Sequence, residues 1–140
     1  QMQSAGEEVD IIYVADYSNL VSNGLITSEK TIQERPELVQ GMVRAALRGI
    51  AYTLNHPDEA FEIAIKYVPE AASDEATRAV NRAVLAESIE FWRAGSGELG
   101  RSDLADWQTS QRIMQQMGLV GTDADVVDMF TNRFIVEIAD

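Results

Sequence analysis

The chain has 140 residues, no cysteine and a single histidine, His56. Disulfides, thiolate metal sites and thiol chemistry are therefore excluded, and no cluster of histidines can gather around a metal. Basic residues are scarce as well: 11 Lys and Arg stand against 23 Asp and Glu, a net charge of −12. Nucleic-acid binding rests on Lys and Arg contacts to phosphate, so this balance argues against it. It equally disfavours an anionic membrane surface. No apolar run approaches the ~18 residues of a transmembrane helix, and no cationic, apolar leader pattern opens the sequence. What is left, with 46% hydrophobic residues, is one domain's worth of acidic chain with enough apolar surface for a core.

The pattern that is present changes period early. Gln1 to Gly6 reads as the last turn of a helix closed by glycine, as though the sequence opened inside a larger α/β domain. Val9 to Val14 is a continuous apolar run bounded by acids, which predicts a buried strand. Ser22 to Thr27 predicts a second, short extended segment.

From Ser28 onward the period is helical. Thr27 or Ser28 caps a short helix through Glu34, and Pro36 restarts the chain as a first helical residue. The helix from Pro36 to Asn55 is the strongest: Leu38, Val39, Met42, Val43, Ala46, Leu47, Ile50 and Leu54 form one apolar stripe. Pro57 starts a helix to Tyr67 that buries Phe61, Ala64 and Ile65, and Pro69 ends it. Asp74 caps a helix from Glu75 to Ala94, with Ala76, Ala79, Val80, Ala83, Val84 and Phe91 or Trp92 inward. Ser102 or Asp103 caps a helix to Met117 carrying Leu104, Trp107, Ile113 and Met114. Gly118 stops it with Leu119 folding back, a short helix spans Asp123 to Phe130, and Phe134 to Ile138 is an apolar tail. The expected class is mainly α with two short N-terminal β-strands.

Several motifs dissolve on their context. Gly95 to Gly100 is a literal GxGxxG, but a dinucleotide fingerprint follows a strand, whereas this one follows a helix. Asp123, Asp125 and Asp128 lack the central glycine and distal glutamate of a calcium loop, and acids at a helix start are expected anyway. His56 precedes Pro57, a place for capping or solvation rather than catalysis. The junction around Pro57 is reminiscent of a helical repeat, yet no period near the ~34 residues of such repeats recurs. No catalytic set, metal site or cofactor site is expected.

One constellation is specific through its order. It runs Ala15-Asp16-Tyr17, Gly24, Ser28-Glu29, Ile32, Pro36-Glu37-Leu38-Val39, Arg44, Gly49, Asn55, Pro57 and Glu59-Ala60. Further on come Asp106-Trp107-Gln108, Met117-Gly118-Leu119 and Phe130-Thr131-Asn132-Arg133-Phe134. Together these resemble the C-terminal part of periplasmic solute-binding proteins of the nitrate, sulfonate and thiamine-pyrimidine-precursor type. The pyrimidine-precursor branch is the most similar.

The resemblance implies the C-terminal portion of a type II periplasmic-binding-protein α/β fold, with two lobes that close on a small ligand. Residues 1–27 would be the remnant of the second lobe and the hinge crossover strand, and residues 28–140 the C-terminal helical region. It implies a non-enzymatic solute-binding component of an ABC importer, a permease partner and periplasmic placement. The ligand class is a small nitrogen- or sulfur-containing metabolite, a thiamine pyrimidine precursor included. Asp16, Tyr17, Ser18, Asn19 and Asn23 would stand nearest ligand, at the strand end and hinge; the alternative is that they are ordinary turn residues. Strand edges and an apolar stripe left uncovered predict pairing of the chain with a second copy. A synthase of the same pyrimidine and a helical interaction module are the competing readings.

Overall fold

The computed structural model describes residues 8, 10, 12–14, 17, 18, 20, 21, 23–94, 98–121 and 124–135. Among these the architecture is helical. Five α-helices follow one another: α1 (Glu29–Glu34), α2 (Pro36–Asn55), α3 (Pro57–Tyr67), α4 (Glu75–Ala94) and α5 (Leu104–Gln116). Short 3-10 turns occupy Pro69–Ala72 and Val126–Asp128.

The helix boundaries follow local chemistry. Ser28 caps α1, its side chain accepting from the Thr31 N–H at 3.1 Å. Pro36 and Pro57 open α2 and α3, where a missing N–H costs nothing. Asp74 precedes α4 and accepts from the Thr77 N–H at 2.8 Å. Of the two candidates before α5, Asp103 is the cap, accepting from the Ala105 N–H at 2.7 Å. Ser102 instead pairs reciprocally with Asn132: its N–H donates to Asn132 Oδ1 and its carbonyl accepts from Asn132 Nδ2. Gly118 closes α5 with φ +69°, and the Leu119 N–H donates back to the Met114 carbonyl. The Leu119 side chain nevertheless stays 62% exposed, so the backbone half of that stop forms without the expected hydrophobic contact.

Two compact units divide the chain. One comprises Gln1–Asp10 with Ala45–Leu99, the other Ile11–Arg44 with Gly100–Asp140. In the first, α3 packs against α4, and the 3-10 turn at Pro69–Ala72 rests on both. Leu47, Phe61 and Ile89 are its buried apolar side chains among the described residues. In the second, α5 packs against the turn at Val126–Asp128, with Val126 and Phe134 buried. Trp107 stacks on Phe130 with ring centroids 5.2 Å apart. Gln111 Nε2 donates to the Ala124 carbonyl at 2.7 Å, tying the turn to the helix.

Three expectations change. The predicted strands lie partly outside the described residues; 12–14 and 23–27, which are described, are not in a strand ladder. A strand is completed by its neighbours, and no described residue supplies one. The inward face of α4 is also different. Of the expected face Val80 is half-buried, but Ala76, Ala79, Ala83, Val84, Phe91 and Trp92 are exposed, whereas Asn81, Arg82, Leu85, Ser88 and Ile89 turn inward. Alanine buries little area, so the larger Leu85 and Ile89, with two arginines reaching α3, decide the rotation. Ala64 likewise faces out on α3. Finally, the short helix expected from Asp123 to Phe130 contracts to the 3-10 turn, capped by Asp125 accepting from the Val127 N–H.

Candidate functional site

Of the five residues expected to meet ligand, Tyr17, Ser18 and Asn23 are described; Asp16 and Asn19 lie outside the described residues. Tyr17 and Ser18 sit on a turn. Both of their N–H groups donate to the Val14 carbonyl, at 3.0 and 2.9 Å. That turn presents the Tyr17 ring to solvent at 81% exposure, with Ser18 half-buried. Downstream, the Val21 N–H donates to Ser110 Oγ at 2.8 Å, which anchors this stretch to α5 within the same unit. Asn23 is exposed and joined to neither Tyr17 nor Ser18 by a hydrogen bond. The arrangement offers a flat aromatic face, a hydroxyl and an amide, groups suited to stacking on and hydrogen-bonding a ring.

The best-built polar constellation lies elsewhere, on the α3–α4 hairpin. Arg78 and Arg82 both reach Glu62, the latter at 2.7 Å, and Arg82 also pairs with Asp58. The two guanidinium groups lie over the Phe61 ring, 5.6 and 4.8 Å from its centroid. Hydrogen bonds from Arg78 and then Arg82, with their charges, hold the Glu62 carboxyl below the usual range. Asp58 and Glu62 correspondingly push Arg82 up. Beside this cluster runs a groove of about 350 Å³ floored by Phe61, Leu85, Ala86 and Ile89 and edged by Arg82 and Arg93. Arg93 is itself occupied, donating to the Leu54 carbonyl at 3.0 Å and to Glu90 at 3.3 Å. Every arginine at the groove is already paired, so the cluster clamps two helices rather than waiting for an anion. Its signal was present in the sequence: acids four apart on one helix, arginines four apart on the next.

The other sequence candidates take structural roles. His56 stands before α3 without a side-chain capping bond and lies 4.9 Å from the Tyr52 ring. A hydrogen bond to Glu59 raises the Tyr52 phenol pKa. Asp125 is spent on its cap. The GxGxxG segment follows α4, a helix and not a strand, and its first three residues lie outside the described residues. Among the described residues no helix is long and apolar enough to cross a membrane.

Comparison with known families and proteins falls on the same stretch that carries Tyr17 and Asn23. A family model described as NMT1/THI5 like matches residues 1–60. The chain is 39% identical over 138 residues to the riboflavin-binding protein RibY of Chloroflexus aurantiacus, which takes in 96% of this chain. Residues 1–60 are thus similar to the NMT1/THI5-like family. A second relative is the 4-amino-5-hydroxymethyl-2-methylpyrimidine phosphate synthase of Legionella pneumophila, 28% identical over 110 residues and 79% of this chain. The chain spans 39% of the first relative's length and 32% of the second's. No solved structure matches it significantly.

Proposed function

We propose that this chain is part of a solute-binding protein whose ligand is a small, flat, nitrogen-containing ring compound. The observation that carries the reading is the identity across almost the whole chain to a relative named for binding riboflavin. The second relative is named for a pyrimidine phosphate, and riboflavin too contains a fused pyrimidine ring, so the two names share a chemistry. Tyr17 would stack on such a ring while Asn23, with Asp16, Ser18 and Asn19, would bond its polar edge. In this reading residues 1–27 belong to the second lobe and crossover of a type II binding fold, and residues 28–140 form its helical end. The parent works outside the cytoplasmic membrane, hands its ligand to an ABC permease, and needs no cofactor. The chain by itself pairs with a second copy.

The test is ligand binding by the full-length protein, read by thermal shift and by quenching of flavin fluorescence. Riboflavin or an aminopyrimidine is expected to raise the melting temperature; taurine and nitrate are not. A shift with sulfonate or nitrate alone would move the ligand to another branch of the family, and no shift with any of them would sink the binding reading.

A synthase is the second reading, favoured by the Legionella relative. Any histidine chemistry it uses would come from outside this chain, because the lone His56 stands exposed at the α2–α3 corner, away from the Tyr17 turn in sequence. Formation of a pyrimidine phosphate by the full-length protein, without added enzyme, would favour it over binding.

A further inference from the structure

We infer that Asn23 is a site of spontaneous deamidation, a covalent modification built into the exposed segment before α1. Of the five asparagines, Asn23 is the one followed by glycine. Both residues are exposed, and 23–28 lie outside any helix. Neither the Asn23 side chain nor the Gly24 N–H has a hydrogen-bond partner among the described residues. A Cβ built on Gly24 would meet nothing within 4 Å, so the backbone is free to turn its nitrogen toward the side chain.

The chemistry balances with water alone. The Gly24 nitrogen gives up its proton to base and attacks Asn23 Cγ; the side-chain nitrogen takes a proton and leaves as ammonia. Water then opens the resulting succinimide at either carbonyl, leaving aspartate or isoaspartate. No oxidant or reductant takes part.

The other described asparagines are held back by the same criteria. The nitrogen that would attack Asn55 belongs to His56 and is bonded to the Tyr52 carbonyl at 2.8 Å. Asn81 lies inside α4 and donates to the Ala71 carbonyl at 2.8 Å. Asn132 is bonded at both ends to Ser102, and the following Arg133 N–H donates to Thr131 Oγ1. Conversion of Asn23 adds a negative charge and, as isoaspartate, an extra backbone carbon. A resulting slow loss of ligand affinity rests on the proposed binding role; the modification itself does not.

The experiment ages the full chain in mildly alkaline buffer at body temperature and maps its peptides by mass spectrometry with isoaspartate detection. The Asn23 peptide is expected to exchange NH2 for OH about tenfold faster than those of Asn81 and Asn132, equivalent to ~1.4 kcal/mol on the barrier. Gly24→Val should slow that exchange by about the same factor, since a branched side chain obstructs the attack. Asn23 surviving as long as Asn132 in the same sample would overturn the inference. So would a Gly24→Val chain that ages at the unchanged rate.

Discussion

Two stretches of similar hydrophobicity behave in opposite ways. Between Pro57 and Ala94 the acids of α3 meet the arginines of α4, Phe61 is 5% exposed beneath them, and Asp74 serves the first turn of α4. Between Ile12 and Ile26, by contrast, Ile12, Val14, Tyr17 and Ile26 are exposed at 78, 59, 81 and 98%. Both stretches are rich in apolar residues, so composition does not separate them. What separates them is where each finds its partners. A helix closes its backbone bonds on itself and needs only one covered face. An apolar extended segment needs hydrogen-bonded neighbours on both sides and cover above and below. The hairpin contains what it requires within its own sequence, and the opening segment does not.

That contrast is sharpest at Phe61. Truncation to alanine should lower unfolding stability by about 3–5 kcal/mol, because the ring and the two stacked guanidinium groups lose each other. Urea titration followed by circular dichroism measures it, and a loss within the ordinary surface range of about 0.5 kcal/mol would mean the hairpin is held by its ion pairs instead. Next comes the cap of α5. Asp103→Ala should cost about 1 kcal/mol, leaving the Ala105 N–H to water; an unchanged urea midpoint would show that the first turn does not depend on it.

The pH dependence has a smaller effect and a defined sign. Glu62 and Asp74 both sit below their ordinary values, through Arg78 and the Thr77 N–H respectively. Their stabilisation is therefore complete at neutral pH and begins to fall as the pH enters the usual carboxylate range, where the unfolded chain takes up protons first. It is lost as the pH falls further, through their folded-state values. Glu62→Gln should flatten the acid side of a melting-temperature profile and lose most of its effect at high salt, as befits half-exposed partners. A profile identical to that of the parent chain would remove the fork from the account.

Smallest of all is Tyr17→Ala, expected to leave stability within about 0.5 kcal/mol because the residue is largely exposed. The same change should weaken riboflavin or aminopyrimidine binding by the full-length protein if the exposed ring is a ligand platform. Unchanged affinity would return Tyr17 to the status of a turn residue. The two substitutions therefore make opposite expectations: a large loss of stability at Phe61, and at Tyr17 a small one with weakened binding by the full-length protein.

Much of the helical half was legible from local signals. Pro36, Pro57, Ser28, Asp74 and Gly118 mark boundaries because each acts on backbone groups within a few residues. The α4 face was not legible. A stripe of alanines looks apolar by count, but Leu85 and Ile89 bury more area, and Arg82 reaches Glu62 only from that side. Leu119 shows the same limit at smaller scale: its N–H completes the helix stop, while its side chain stays mostly exposed. For the ligand set, residue chemistry pointed to Asp16, Tyr17, Ser18, Asn19 and Asn23, and the groove on the α3–α4 hairpin is lined by none of them. A site formed at a strand end depends on the sheet behind it, which no local pattern can supply.

Sequence alone determined where the five α-helices run, the acidic composition and the exclusion of thiol and histidine-cluster chemistry, because each of these depends on residue identity or on neighbours a turn away. Only the tertiary structure decided which side of α4 is buried, which acids the arginines clamp and that 12–14 and 23–27 are outside a strand ladder. Those outcomes are set by partners far off in sequence, whose approach is governed by packing area and charge geometry rather than by period.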